Sequence, residues 1–150
     1  MFERVADGTV DVVATDHAPH TKAEKDVGIW EAPSGVPGVE TALPLLLAQV
    51  RAGALGFERV RDLTARNPAA MFGLSHRGSV TEGAYADLVL VDPTDVEEIH
   101  ATTLHTACGW TPFEGMEAVF PEWTMCRGQI VYRRDTDRFS RFDGENVRTS

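Results

Sequence analysis

Residues 10–15 read VDVVAT, and no other stretch restricts the fold of this chain as much. Branching at Cβ suits a pleated backbone better than a helix, and the run lacks the strict alternation of a strand with one wet face. It predicts a strand buried on both faces, as in a parallel sheet covered by helices. The chain then turns at once to Asp16, His17 and His20, and stays polar and rich in Pro and Gly through residue 38. A loop that long inside a compact domain is usually functional or disordered. A carboxylate and imidazoles at the carboxyl end of a parallel strand also occupy the face where α/β barrels build their sites.

Beyond the loop, Val39, Leu43, Leu46, Leu47 and Val50 recur at helical spacing, and Gly53 is placed to cap that helix. Pro44 fits if it lies in the first turn, where its missing N–H would have no intrahelical partner. A second short helix is expected over residues 57–65. Asn67-Pro68 then supplies an N-cap and a first-position proline for a further turn through Phe72, which Gly73 ends. After Leu74 the period changes: residues 78–80, 86–91 and 125–132 read as strands, with turn material at Glu82-Gly83, Asp92-Pro93 and Arg127-Gly128. This order describes the end of an α/β unit, residues 1–74, followed by a small β unit, residues 75–150. There is no internal repeat, and the polar residues 138–150 are expected to be partly loose.

The net charge of −9, from 23 acidic against 14 basic residues, argues against nucleic acid or an anionic membrane as partner and leaves small molecules. Only Lys22 and Lys25 are lysine, and an acidic surplus with scarce lysine suggests a surface adapted to high salt. No apolar run approaches the roughly 18 residues of a membrane span. The amino terminus also lacks the basic and apolar regions of a secretory signal, so a cytoplasmic location is expected. Cys108 and Cys126 stand alone, which indicates buried thiols rather than a zinc knuckle or a disulfide framework.

An aspartate at the position of Asp16 can ligate a divalent metal through one oxygen and shuttle a proton with the other. The same Asp-His pair also suits a helix cap or a hydrogen-bonding corner, and the residues alone leave both open. The stretches ATDHAPHTKAEKD (14–26) and APSGVPGVETALPLLL (32–47) resemble the signature of the dihydroorotases of archaea, many bacteria and the animal multifunctional enzyme, within the metal-dependent amidohydrolase superfamily. ARNPAAMFGL (65–74), GSVTEGAYADLVLVDP (78–93), TPFEGMEA (111–118) and RGQIVYR (127–133) follow in the family's order. The ADLVLVD strand type is shared with hydantoinases, allantoinases and deaminases; His20 followed by Thr21 and Glu24-Lys25 is dihydroorotase-like.

The resemblance implies an α/β fold comprising the last strand and helices of a (β/α)8 barrel followed by a small β-sandwich domain. It implies the zinc-dependent, reversible cyclisation of N-carbamoyl-L-aspartate to dihydroorotate in pyrimidine biosynthesis. Asp16 would ligate one of two zinc ions and act as general acid and base, His20 would hold the substrate carboxylate, and Ser34 and Gly35 would meet the pyrimidine edge. His17 is expected to be a structural hydrogen-bonding residue, His76, His100 and His105 surface or core polar residues, and Glu24-Lys25 a solvated charge pair.

A whole barrel takes about 250 residues, so the family's HxH pair, carboxylated lysine, further histidines and substrate-clamping arginine are expected upstream; no HxH occurs here. On its own the chain would fall short of the three or four ligands zinc requires and would expose an unpaired barrel edge, calling for an N-terminal barrel portion as partner. Two alternatives stand beside this reading: a non-catalytic dihydroorotase-like scaffold for aspartate transcarbamoylase, and a hydantoinase or allantoinase. Asp16 and His20 favour a catalytic chain, because a scaffold needs neither.

Overall fold

A computed structural model describes residues 2–147, with helices in the first half and antiparallel sheet in the second. The helices are α1 (Phe2–Ala6), α2 (Lys22–Lys25), α3 (Ala42–Arg51), α4 (Phe57–Arg61) and α5 (Asn67–Met71), with a π-helical turn at Asp62–Arg66. The strands are β1 (Leu88–Val91), β2 (Glu97–Glu98), β3 (Glu117–Ala118), β4 (Pro121–Cys126), β5 (Gln129–Arg133) and β6 (Arg138–Phe139). Among the described residues no helix is long and apolar enough to cross a membrane.

Helix α3 follows its apolar spacing. Pro44 lies in its first turn, and Pro44, Leu47 and Ala48 are buried. Gly53 ends it at φ +74°, with Gly53 N donating to Val50 O and Ala54 N to Gln49 O, the paired bonds of a Schellman cap. The buried face meets Leu55, Val60 and Val119, with Val91 and Val96 packed around them, and Val119 N donates to Pro44 O at 3.1 Å. One core thus joins residues from both sides of position 75. Among the described residues Leu63, Ile99 and Val119 are the largest fully buried side chains, each contributing roughly 1.5–3 kcal/mol.

Three sequence expectations are corrected. The helix expected over 57–65 and the turn expected over 67–72 form one continuous run, and Asn67 is no N-cap, its φ of −68° and ψ of −42° being helical. Pro68 has no N–H and would crowd the Thr64 carbonyl in a regular α-helix. The run widens just before it, with Asn67 N donating to Asp62 O, and continues. Residues 78–80 form no strand; Gly78 instead lies so close to the helical run that a Cβ there would be 2.8 Å from Ala65 O.

Residues 10–15, expected to be a strand buried on both faces, are extended but unpaired, and Asp11 and Ala14 are exposed. A sheet strand needs a neighbour about 4.8 Å away, and no described residue supplies one along this segment. Its polar groups are met by the helical run instead: Val13 N donates to Leu63 O, Arg59 donates to Val10 O, and Asn67 Nδ2 donates to Asp11 O at 2.8 Å.

The four-stranded sheet runs β1-β4-β5-β6, antiparallel throughout, with Leu88 opposite Met125 and Thr124 opposite Tyr132. Arg127 and Gly128, at φ 46° and 83°, form the two-residue turn of the β4–β5 hairpin, both left-handed as that tight turn requires. The sequence pattern missed the two-stranded ribbon of β2 and β3, two residues each and too short to show a period. The tail is better tied than expected. β6 pairs with β5, Gln129 Nε2 donates to Arg141 O, and Arg127 donates to Asp143 O and pairs with Glu145. Residues 148–150 lie outside the described residues. Both cysteines are free, Cys108 buried and Cys126 partly so.

Candidate active site

Asp16 stands where the extended segment turns into the loop, at φ 43°, a left-handed conformation that few side chains tolerate and Asp tolerates best along with Asn. Its carboxylate is exposed and makes no hydrogen bond or ion pair with the described residues. The turn is held by His17, whose Nδ1 accepts from Gly38 N at 3.1 Å and Val39 N at 3.3 Å, so the imidazole proton resides on Nε2. Beside it, His17 and Val36 form an isolated parallel bridge and Ala18 N donates to Val36 O. Two strands of the loop, 16–18 and 36–38, are thereby laid side by side.

Gly35 packs into this junction at φ +90°, where a Cβ would lie 2.6 Å from Ala18 Cβ and 4.0 Å from Asp16 O. Only a residue without a side chain closes the loop so tightly. Asp16 and Gly35 are thus brought together through Ala18. His20 follows on the same strand, its N donating to Ala18 O across Pro19, and its carbonyl accepts from Trp110 Nε1 at 2.6 Å. Ser34 is exposed beside Gly35. Behind the loop lies an apolar cavity of about 450 Å³ whose lining includes Val13, Thr15, Val36, Leu46 and Phe113.

Glu24 and Lys25 are not the solvated pair expected from the sequence. Glu24 closes a capping box at the start of α2, accepting from Thr21 N at 2.6 Å, while Thr21 Oγ1 accepts from Glu24 N. The Thr21 backbone N–H is the main reason its carboxyl titrates below the usual range. Lys25 Nζ donates to Pro33 O at 2.6 Å and Gly35 O at 3.0 Å, and lies 5.9 Å from the centroid of Trp110. A hydrogen bond between residues 90 apart, such as Trp110 to His20, leaves no local pattern to read.

A third contact system adjoins the loop. The Glu40 carboxylate accepts from His105 N and meets His105 Nδ1 at 2.5 Å, while His105 Nε2 meets Asp137 Oδ1 at 2.8 Å. The ring is edge-on to Tyr132 and Phe139. The hydrogen bond to Glu40, then that to Asp137, holds the imidazole proton and raises the His105 pKa. His100 pairs with Glu114, and His76 meets the Tyr85 ring edge-on.

Among the described residues no group of three or more His, Cys, Asp and Glu side chains is placed to hold a metal ion. Zinc takes three or four protein ligands. The Asp16 carboxylate has the donor chemistry of one such ligand, and the described residues place no second and third ligand beside it.

The Amidohydrolase family model matches residues 46–132. The dihydroorotase of Halobacterium salinarum is 62% identical over 99% of this chain and 35% of its own length, and that of Methanosarcina acetivorans is 52% identical over 87% and 28%. The chain spans about a third of the length of the curated relatives it matches. Among solved structures, the D-hydantoinase (dihydropyrimidinase) of a Thermus species superposes with a TM-score of 0.85 at 30% identity, covering 97% of this chain and 32% of that one. The L-hydantoinase of Arthrobacter aurescens gives 0.83 at 30% identity, covering 89% and 31%. The model match, covering more than half of the residues, and the superposition of almost the whole chain agree: the chain belongs to the amidohydrolase family.

Proposed function

We propose that this chain is the aspartate-bearing portion of a dihydroorotase, which interconverts N-carbamoyl-L-aspartate and dihydroorotate in the cytoplasm. One observation carries the reading: Asp16, left-handed in its backbone and with a carboxylate that has no partner among the described residues, stands beside a loop whose closure demands glycine at position 35. The reading is supported by 62% identity to a dihydroorotase over nearly the whole chain, against 30% to the hydantoinases that share the fold. Residues 1–74 would close the barrel and residues 75–150 form the small β unit, a β-sandwich. The remaining metal ligands would come from a barrel portion outside this chain, and aspartate transcarbamoylase is a candidate partner.

Asp16 would hold one metal ion, zinc, through a carboxylate oxygen. When bound, the metal supplies Lewis-acid polarisation of the ring carbonyl. The second Asp16 oxygen takes the proton from the attacking water and delivers it to the departing ring nitrogen; ring closure reverses both transfers. His20 donates an N–H to the substrate carboxylate. Ser34 and Gly35 present main chain to the pyrimidine edge, and the bare Cα of Gly35 permits the approach.

The full-length gene product, assayed on carbamoyl aspartate, dihydroorotate, hydantoin and allantoin, tests this directly. Turnover of the first two is expected, with Asp16→Asn lowering kcat by roughly 10²–10⁴-fold, the usual contribution of a general acid and base. Activity on hydantoin without activity on dihydroorotate would favour the hydantoinase reading suggested by the structural likeness. Inactivity on all four would favour the scaffold.

A further inference from the structure

We infer that Lys25 and Trp110 are positioning residues that preset the loop between His20 and Gly35 for substrate, an assignment that rests on the dihydroorotase reading. The middle of this loop has little burial to hold it: Ile29 is 83% and Trp30 93% exposed. Its ends are held by hydrogen bonds instead. Trp110 Nε1 takes the His20 carbonyl, and Lys25 Nζ takes the Pro33 and Gly35 carbonyls, on either side of Ser34. The two anchors are themselves adjacent, with the ammonium near the indole ring and both lining one shallow depression. Helix α2, which carries Lys25, starts with the Thr21–Glu24 capping box directly after His20, so the anchor is fixed from both sides.

The chemistry of the anchor matters. Among 14 cationic residues only two are lysines, and one of them stands here. A lysine ammonium is a compact point charge that can serve two carbonyls from one atom, whereas the arginine guanidinium is a wide planar fork. Every acceptor is main chain, so the clamp fixes the backbone and leaves the side chains of His20 and Ser34 available to a ligand. Without it, the competent loop would be one conformation among several. Apparent affinity then falls by the competent fraction, while the chemical step at Asp16 is untouched.

Lys25→Met, Trp110→Phe and the conservative Lys25→Arg test this in the full-length gene product. Trp110→Phe removes the Nε1 donor while keeping an aromatic ring at that position, so it guards against a Lys25→Met variant that fails to fold. Amide hydrogen exchange at Ala18 and Gly38 is expected to speed up by roughly tenfold or more in Lys25→Met, with Leu45 in α3 unchanged as the control. KM for dihydroorotate should rise by a comparable factor with kcat within about twofold, and Lys25→Arg should recover part of the loss. Unchanged exchange, or a fall in kcat at constant KM, would overturn the assignment. A wild-type protein that turns over no dihydroorotate would refute the proposed function instead, and amide exchange would then decide the clamp alone.

Discussion

Replacing Gly35 by alanine would place a methyl group 2.6 Å from Ala18 Cβ on a backbone whose φ is +90°. Two penalties add. A side chain in a left-handed conformation costs roughly 1–2 kcal/mol, and forcing a methyl into a closed contact costs roughly 1–3 kcal/mol. The total of about 2–5 kcal/mol corresponds to a fall in Tm on the order of 4–20 °C at the scale for chains of this size. Gly53→Ala separates the two, because Gly53 is left-handed at +74° with nothing within 4 Å of the new Cβ. It should lose only the first, roughly 1–2 kcal/mol. Adding Ala18→Gly to Gly35→Ala removes the opposing methyl and should return most of the steric part, less the roughly 0.5–1 kcal/mol that a new glycine costs. Urea and thermal unfolding of the four proteins, with amide exchange at Ala18, would measure all three quantities. The reasoning fails if Gly35→Ala is no worse than Gly53→Ala, or if Ala18→Gly restores nothing.

His105 makes stability depend on pH. Its folded pKa is raised by Glu40 first and Asp137 second, so the linkage is fully present below the unfolded value of about 6.5 and is lost as pH climbs through the folded value. With 39% of the side chain exposed, solvent screening limits the contribution to about 0.5–1 kcal/mol. His105→Gln should therefore destabilise more near about pH 5.5 than near about pH 9 in urea titrations, and the opposite trend would contradict the ion-pair geometry. Leu63, 0% exposed, should lose roughly 2–5 kcal/mol on truncation to alanine and under about 1.5 kcal/mol on replacement by methionine; equal losses would mean that the site is not tightly packed. Stability should rise between about 0.1 M and 2 M KCl as the charge of −9 is screened, and a flat response would remove the idea of high-salt adaptation.

The features legible in the sequence were those written within a few residues. Helix α3 announced itself by Leu43, Leu47 and Val50 with Gly53 behind them, and the β4–β5 turn by Arg127-Gly128. Asn67-Pro68 misled because a local rule for helix starts was overridden by burial on both sides, of Leu63 and Ala69, which keeps the helix going through a proline. The run at 10–15 has the composition of a buried strand, yet a strand exists only with a neighbour, and the described chain gives it none. At the candidate site, residue type and motif single out Asp16 and Gly35 in the sequence as candidates, and the structure places them side by side. Lys25 and Trp110 could not, since their roles are hydrogen bonds to carbonyls, which every residue carries.

The wide turn at Asp62–Arg66 also sets the rotational phase of the helix beyond it. Val60 and Ala69 both face inward, yet nine positions apart in an unbroken α-helix they would point to opposite sides, at about 100° per residue. One surplus residue taken up in the widened turn reduces that angle to about a quarter-turn. Losing a single residue there would leave a regular α-helix with Val60 and Ala69 still about a quarter-turn apart, whereas tightening the turn with all its residues kept would swing Ala69 out towards water, so the apparent irregularity is what lets both ends of the run reach the same interior.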